Sequence, residues 1–99
     1  MIKHIVLFKM KEDTELAVKL EAMHHFRRDI LNLRSVIPCI RELEVGFNCN
    51  STETWEICLN SSFDNLEDLH AYATHPQHIA ASQRLKPLLA DRACVDYED

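Results

Sequence analysis

Between positions 71 and 78 the chain reads AYATHPQH, placing one phenol and two imidazoles in a short stretch broken by a proline. Three chemistries suit such a cluster. A histidine of ordinary pKa, near 6.5, accepts a proton at neutral pH, and a tyrosine hydroxyl donates a hydrogen bond to a developing oxyanion. Paired imidazoles can also bind a metal ion, and the rings can simply fill a helix corner. Tyr72 and His78 are six positions apart, which is wrong for neighbours on one continuous helix, so only a kink at Pro76 can bring them together. His4 is a further titratable group, set mid-strand on an apolar face.

The spacing of the histidines and cysteines argues against a dedicated metal site. His75 and His78 are three apart but a proline intervenes, and no cysteine pair or carboxylate follows at ligand spacing. His24 and His25 are adjacent on a helix and point apart, while His70 falls on the wet side of its helix. The four cysteines, Cys39, Cys49, Cys58 and Cys94, form no C-x-x-C, and reduced thiols are expected; Cys58 and Cys94 read as small apolar residues within strands.

The elements that must position these groups follow from periodicity. Ile2 to Met10 alternates as a strand, with His4, Val6, Phe8 and Met10 on one face and Ile5 and Leu7 on the other. From Thr14, an acceptable N-cap, Leu16, Leu20, Met23, Ile30 and Leu33 recur at helical spacing, with Phe26 near the same stripe; Pro38 ends the run. Arg41 to Phe47 alternates again, and after the turn NCNSTE a third strand is marked by Trp55, Ile57 and Leu59 and ends near Phe63. Asp64-Asn65-Leu66-Glu67 opens a second helix in capping-box form. That helix must break at His75, because a residue before proline avoids the helical region, and Pro76 then opens a new turn or short helix. Arg92 to Tyr97 gives the last strand. The order is β-α-β-β-α-β, so the predicted fold is α+β, a ferredoxin-like split βαβ with one four-stranded antiparallel sheet, in a single domain over residues 1–99.

Composition removes several function classes. A net charge of −5 opposes nucleic-acid binding, since Arg27, Arg28 and Arg34 sit among acids on a solvated helix face. Gly46 is the only glycine, which excludes glycine-rich phosphate loops, and no cofactor is expected. The opening MIKHIVLFKM carries Lys3, His4 and Lys9 within its apolar run and does not read as a secretion signal, and no apolar stretch is long enough to span a bilayer. No membrane partner and a cytoplasmic location are the expectation.

The first strand is apolar on both faces at its centre, yet two helices cover only one face of a sheet. One apolar face would therefore stay wet in a lone copy, where Val6, Phe8 and Met10 would each forfeit roughly 1.5–3 kcal/mol of burial. Two copies packed sheet to sheet about a twofold axis would remove that cost, so a homodimer is expected.

The segments IKHIVLFKMK, IRELEVGFN, SFDNLEDLHAYATHPQHIA and DRACVDYE together resemble the stress-responsive A/B barrel (Dabb) family, most specifically over Phe63 to His78. The resemblance implies a dimeric α+β barrel in which two ferredoxin-like sheets enclose a shared interior. One plant branch of that family comprises polyketide cyclases that close a ring by aldol condensation with a tyrosine and a histidine as acid–base pair. The matching positions here are Tyr72 as acid and His78 as base, with His4 matching a cavity-facing histidine. The third strand departs from that branch, since ETWEICLN offers no histidine. Three readings follow: a barrel holding a small apolar ligand in a cavity lined by His4, Val6, Phe8 and Trp55; a cofactor-free cyclase-like or isomerase-like enzyme; and an oligomerisation or stress-protection module with a filled interior.

Overall fold

The computed structural model describes residues 1–99 and contains four strands and three helices. In chain order these are β1 (Ile2–Met10), α1 (Leu16–Asn32), β2 (Glu42–Phe47), β3 (Ile57–Phe63), α2 (Leu66–Ala73), α3 (Pro76–Leu85) and β4 (Leu89–Glu98), with 3₁₀ turns at Leu33–Ser35 and Lys86–Leu88. The strands form one antiparallel sheet in the order β2-β3-β1-β4, the ferredoxin-like arrangement that the sequence predicts. Of the paired strands only β2 and β3 are consecutive in the chain; β1 sits between β3 and β4, so the first and last strands lie side by side, while all the helices gather on one side.

Alternation along β1 decides which side that is. Ile2, His4, Val6, Phe8 and Met10 are all buried, whereas Lys3, Ile5, Leu7 and Lys9 are only half-buried. The core lies between this face and α1, which contributes Met23, Phe26 and Ile30, with Leu43, Val45, Ile57 and Leu59 from the neighbouring strands. Val6 and Met10 are 1% and 0% exposed within a single chain, which corrects the expectation that they sit on an uncovered face. Period-two patterning assigns residues to two faces without saying which face the helices choose. The open face belongs to Ile5 and Leu7 together with Ala93, Val95 and Tyr97 of β4, which lie beside them in register.

Local signals explain the helix ends. The Asn65 side chain accepts a hydrogen bond from the Asp68 backbone N–H at 2.8 Å and starts α2. His75 takes an extended conformation before Pro76, and its Nδ1 accepts from the Gln77 N–H at 3.1 Å, so it caps α3 while Pro76 occupies the first turn. The break between α2 and α3 is therefore built from one imidazole and one proline. The start of α1 differs from expectation: the helix begins at Leu16 after Glu15, with no side-chain cap, and Leu16 and Leu20 are exposed. An Arg84–Asp29 ion pair at 2.7 Å ties α3 to α1.

Candidate functional site

A half-open groove of about 620 Å³ lies between the helix-covered face of the sheet and α3. Its apolar lining includes Val6, Phe8, Phe26, Leu59 and Leu85. His4 and His78 supply imidazoles, Ser82 and Gln83 line it from α3, and Lys86 and Arg92 bring positive charge beside Asp91. Phe8 and Phe26 meet edge to face with centroids 5.2 Å apart, which fixes part of the apolar surface. The groove belongs to one chain. Within one chain its walls are the helix-covered face of the sheet, α3 and the opening residues of β4, Leu89 to Arg92.

The kink at Pro76 brings Tyr72 and His78 together: their ring centroids are 4.5 Å apart. Tyr72 projects from α2 into the core, fully buried, with Phe63 at 5.1 Å and His4 at 6.2 Å between centroids. Its hydroxyl has no hydrogen-bond partner in the protein, an uncommon state for a buried polar atom. Burial pushes the phenol well above its ordinary pKa, so the hydroxyl stays protonated and can only act as a neutral donor or acceptor.

His78, in the first turn of α3, is half-buried, and its Nδ1 lies 3.0 Å from the Ala73 carbonyl oxygen. A carbonyl oxygen only accepts, so Nδ1 carries the proton and donates it, leaving Nε2 as an unprotonated lone pair when the ring is neutral. Burial lowers the His78 pKa from 6.5, opposed by the Ala73 hydrogen bond and assisted by nearby His4 and Arg92. The ring is therefore neutral at pH 7. The neutral imidazole and the protonated phenol are packed ring against ring, and of the two only His78 lines the groove.

His4 reaches the same region from β1. Its Nδ1 lies 2.5 Å from Asp96 Oδ1, with Cys94 Sγ 3.7 Å from both atoms. Asp96 and Cys94 escape a sequence reading because the register pairing His4 with Asp96 and Val6 with Cys94 joins opposite ends of the chain. Cys94 is exposed on β4 and is not a buried apolar filler. The structure brings His4, Val6, Phe8 and His78 to one groove, with Tyr72 packed against two of them. It does not bring Trp55 there. Regular pairing of β3 begins only at Ile57, so the alternation does not extend back to Trp55, which lies beside Leu7, Phe47 and Cys58 in a separate hollow. All four cysteines are free thiols.

The model of the stress responsive A/B barrel domain matches residues 2–99, and the chain belongs to that family. A crystal structure of a dimeric protein of unknown function with a ferredoxin-like fold from Bacteroides fragilis NCTC 9343 is 50% identical, covers 99% of this chain and 95% of that one, and superposes with a TM-score of 0.97. A stress-response A/B barrel domain-containing protein of Arabidopsis thaliana is 26% identical over 97% of this chain, which spans only 46% of that protein's length. Olivetolic acid cyclase of Cannabis sativa is 26% identical over 79% of this chain and 76% of its own. No helix here is long and apolar enough to cross a membrane.

Proposed function

We propose that this A/B barrel protein works as a homodimer, each subunit holding a small, largely apolar molecule in the groove beneath α3. The groove carries the reading. Its volume of about 620 Å³ lies within the roughly 300–1,000 Å³ usual for small-molecule sites, and an apolar lining with a few converging polar groups is the usual construction. Such an opening in a single chain disfavours an interior merely filled with side chains. The buried Tyr72 hydroxyl has no protein partner, but Tyr72 does not line the groove, so a ligand oxygen meets it only when the His4 or His78 ring packed against it shifts. Dimerisation is supported by the apolar open face of the sheet and by the dimeric structure from Bacteroides fragilis.

One observation favours a second reading, a cofactor-free cyclase-like or isomerase-like enzyme: the Ala73 carbonyl fixes the tautomer that leaves His78 Nε2 free to accept a proton. In this chemistry Nε2 removes a proton from the carbon beside a substrate carbonyl, and the Tyr72 hydroxyl donates a hydrogen bond to the enolate oxygen. The enolate carbon then bonds to a second carbonyl carbon, whose oxygen takes up the proton. A positioned base contributes about 10²–10⁴-fold in rate. The likeness to olivetolic acid cyclase supports the class of reaction.

Native mass spectrometry of the purified dimer tests the first reading, which expects retained or added small apolar molecules bound at one per subunit. Their absence across a panel of apolar carbonyl compounds would overturn it. For the second, His78→Ala should abolish turnover of poly-β-keto thioesters while the dimer persists; unchanged turnover removes His78 from the reaction.

A further inference from the structure

The cluster His4–Cys94–Asp96 meets the groove through His4 alone, and Cys94 and Asp96 have no part in the chemistry of Tyr72 and His78. Its three donor atoms, an imidazole nitrogen, a thiol sulfur and a carboxylate oxygen, lie within 4.8 Å of one another. We propose that this trio is a binding site for a borderline-soft divalent transition-metal ion of the zinc class, with its fourth position open.

The donor set and the spacing both support this. Nitrogen, thiolate and carboxylate are the ligand types that zinc accepts, at about 2.0–2.1 Å to nitrogen, 2.3 Å to sulfur and 2.0–2.2 Å to oxygen. Around a tetrahedral ion those bond lengths put sulfur about 3.6 Å from each of the other two donors. Here both sulfur distances are 3.7 Å. The third edge is shorter than a loaded site requires: His4 Nδ1 and Asp96 Oδ1 are 2.5 Å apart, against about 3.4 Å around a tetrahedral ion. That edge is a hydrogen bond, and it must open by about 0.9 Å as the ion enters. Asp96 can make this movement because its side chain is 37% exposed, whereas that of His4, at 10%, is held by the core.

Framework and direction are equally suitable. His4 is central in β1, and its partners come from the adjacent antiparallel strand, one directly across and one two residues away. The β1–β4 register sets the backbone spacing of the donors before any ion arrives, although β4 is an edge strand paired on one side only. Binding is balanced in protons: the ring proton moves from Nδ1 to Nε2, the thiol proton leaves to solvent, and the sulfur coordinates as thiolate. Three protein ligands and one open position is the pattern of zinc sites that take water or substrate, and His4 already lines the groove.

Cobalt(II) is the probe, because a coordinating thiolate adds a sulfur-to-metal charge-transfer band. Reduced, chelator-treated full-length protein should bind one cobalt per chain with that band, and zinc should displace it. Cys94→Ser should lose the band and Asp96→Asn should weaken binding at least tenfold. Cys49→Ser, at an exposed thiol remote from the trio in sequence, should behave as the parent. Zinc should also raise the melting temperature of the parent and not that of Cys94→Ser, which reports binding to the folded state independently of colour. No band in the parent, or a band that survives Cys94→Ser, would overturn the proposal, as would loss of the band in Cys49→Ser alone.

Discussion

Replacing Tyr72 by phenylalanine removes one oxygen from the core, and the sign of its effect tests the description of the site. A buried tyrosine normally donates a hydrogen bond, and deleting such a bond costs about 0.5–1.5 kcal/mol. Tyr72 is 0% exposed and its hydroxyl has no protein partner, so there is no such bond to lose. Burying an unpaired hydroxyl costs about 1–3 kcal/mol by protein mutational measures. The void left by one oxygen is smaller than a methyl deletion, itself about 0.5–1.5 kcal/mol. Tyr72→Phe should therefore be neutral or stabilise the ligand-free protein by up to about 2 kcal/mol, with a melting temperature raised by up to roughly 8–16 °C for a domain of this size. Urea unfolding at matched protein concentration measures this, since a dimer's midpoint depends on concentration. The same variant should hold a carbonyl ligand about tenfold more weakly, the equivalent of one neutral hydrogen bond near 1.4 kcal/mol. Destabilisation by more than about 1 kcal/mol would refute the reasoning, because it would mean the hydroxyl is already satisfied.

Other consequences follow from the same geometry. Burial lowers the His78 pKa below its ordinary 6.5, so the unfolded chain binds the proton more readily; the stability this residue contributes is complete above pH 6.5 and is lost as pH falls through the folded pKa. A urea series across that window should show this loss, and His78→Gln should reduce it. Val95→Glu places a charge on the open sheet face beside Ile5, and sedimentation should show the dimer giving way to single subunits. Asn65→Ala deletes the cap of α2 and should cost about 1 kcal/mol in thermal unfolding, whereas Asn65→Asp should keep most of it.

The sequence reading succeeded where the signal is local. Alternation gave the strands, the capping-box segment Asp64 to Glu67 gave the start of α2 although the cap itself is Asn65, and the pair His75-Pro76 gave the break that brings Tyr72 against His78. It failed where the answer depends on which face or which partner the chain selects. Both parities of β1 are apolar, so nothing local says that the Val6 parity lies under the helices and the Ile5 parity does not. Trp55 shares its parity with Ile57, but the chain pairs regularly only from Ile57, so the tryptophan turns away from the groove. The His4–Cys94–Asp96 trio is invisible for another reason: His4 is 90 and 92 residues from Cys94 and Asp96, and only the β1–β4 register joins them.

The same face assignment separates assembly from chemistry. The groove, with His4, Phe8 and His78, opens on the helix-covered side, whereas Ile5, Leu7, Ala93, Val95 and Tyr97 point to the other. A dimer formed through the open face would bury apolar surface without walling the groove, so its contribution to the site is rigidity of the sheet. Strand β4 shows why that rigidity matters: every residue from Ala90 to Glu98 is exposed in one chain, although β1 pairs along its length. An edge strand held on one side only is the element most inclined to open locally. It also carries Arg92, Cys94 and Asp96, so loss of the partner should reach the site by loosening β4 while leaving α3 and the packed Tyr72–His78 pair in place. In Val95→Glu single subunits, the separation therefore expects ligand binding to weaken and metal binding to weaken more, with both sites still formed. Complete loss of the groove on dissociation would instead place the chamber between subunits.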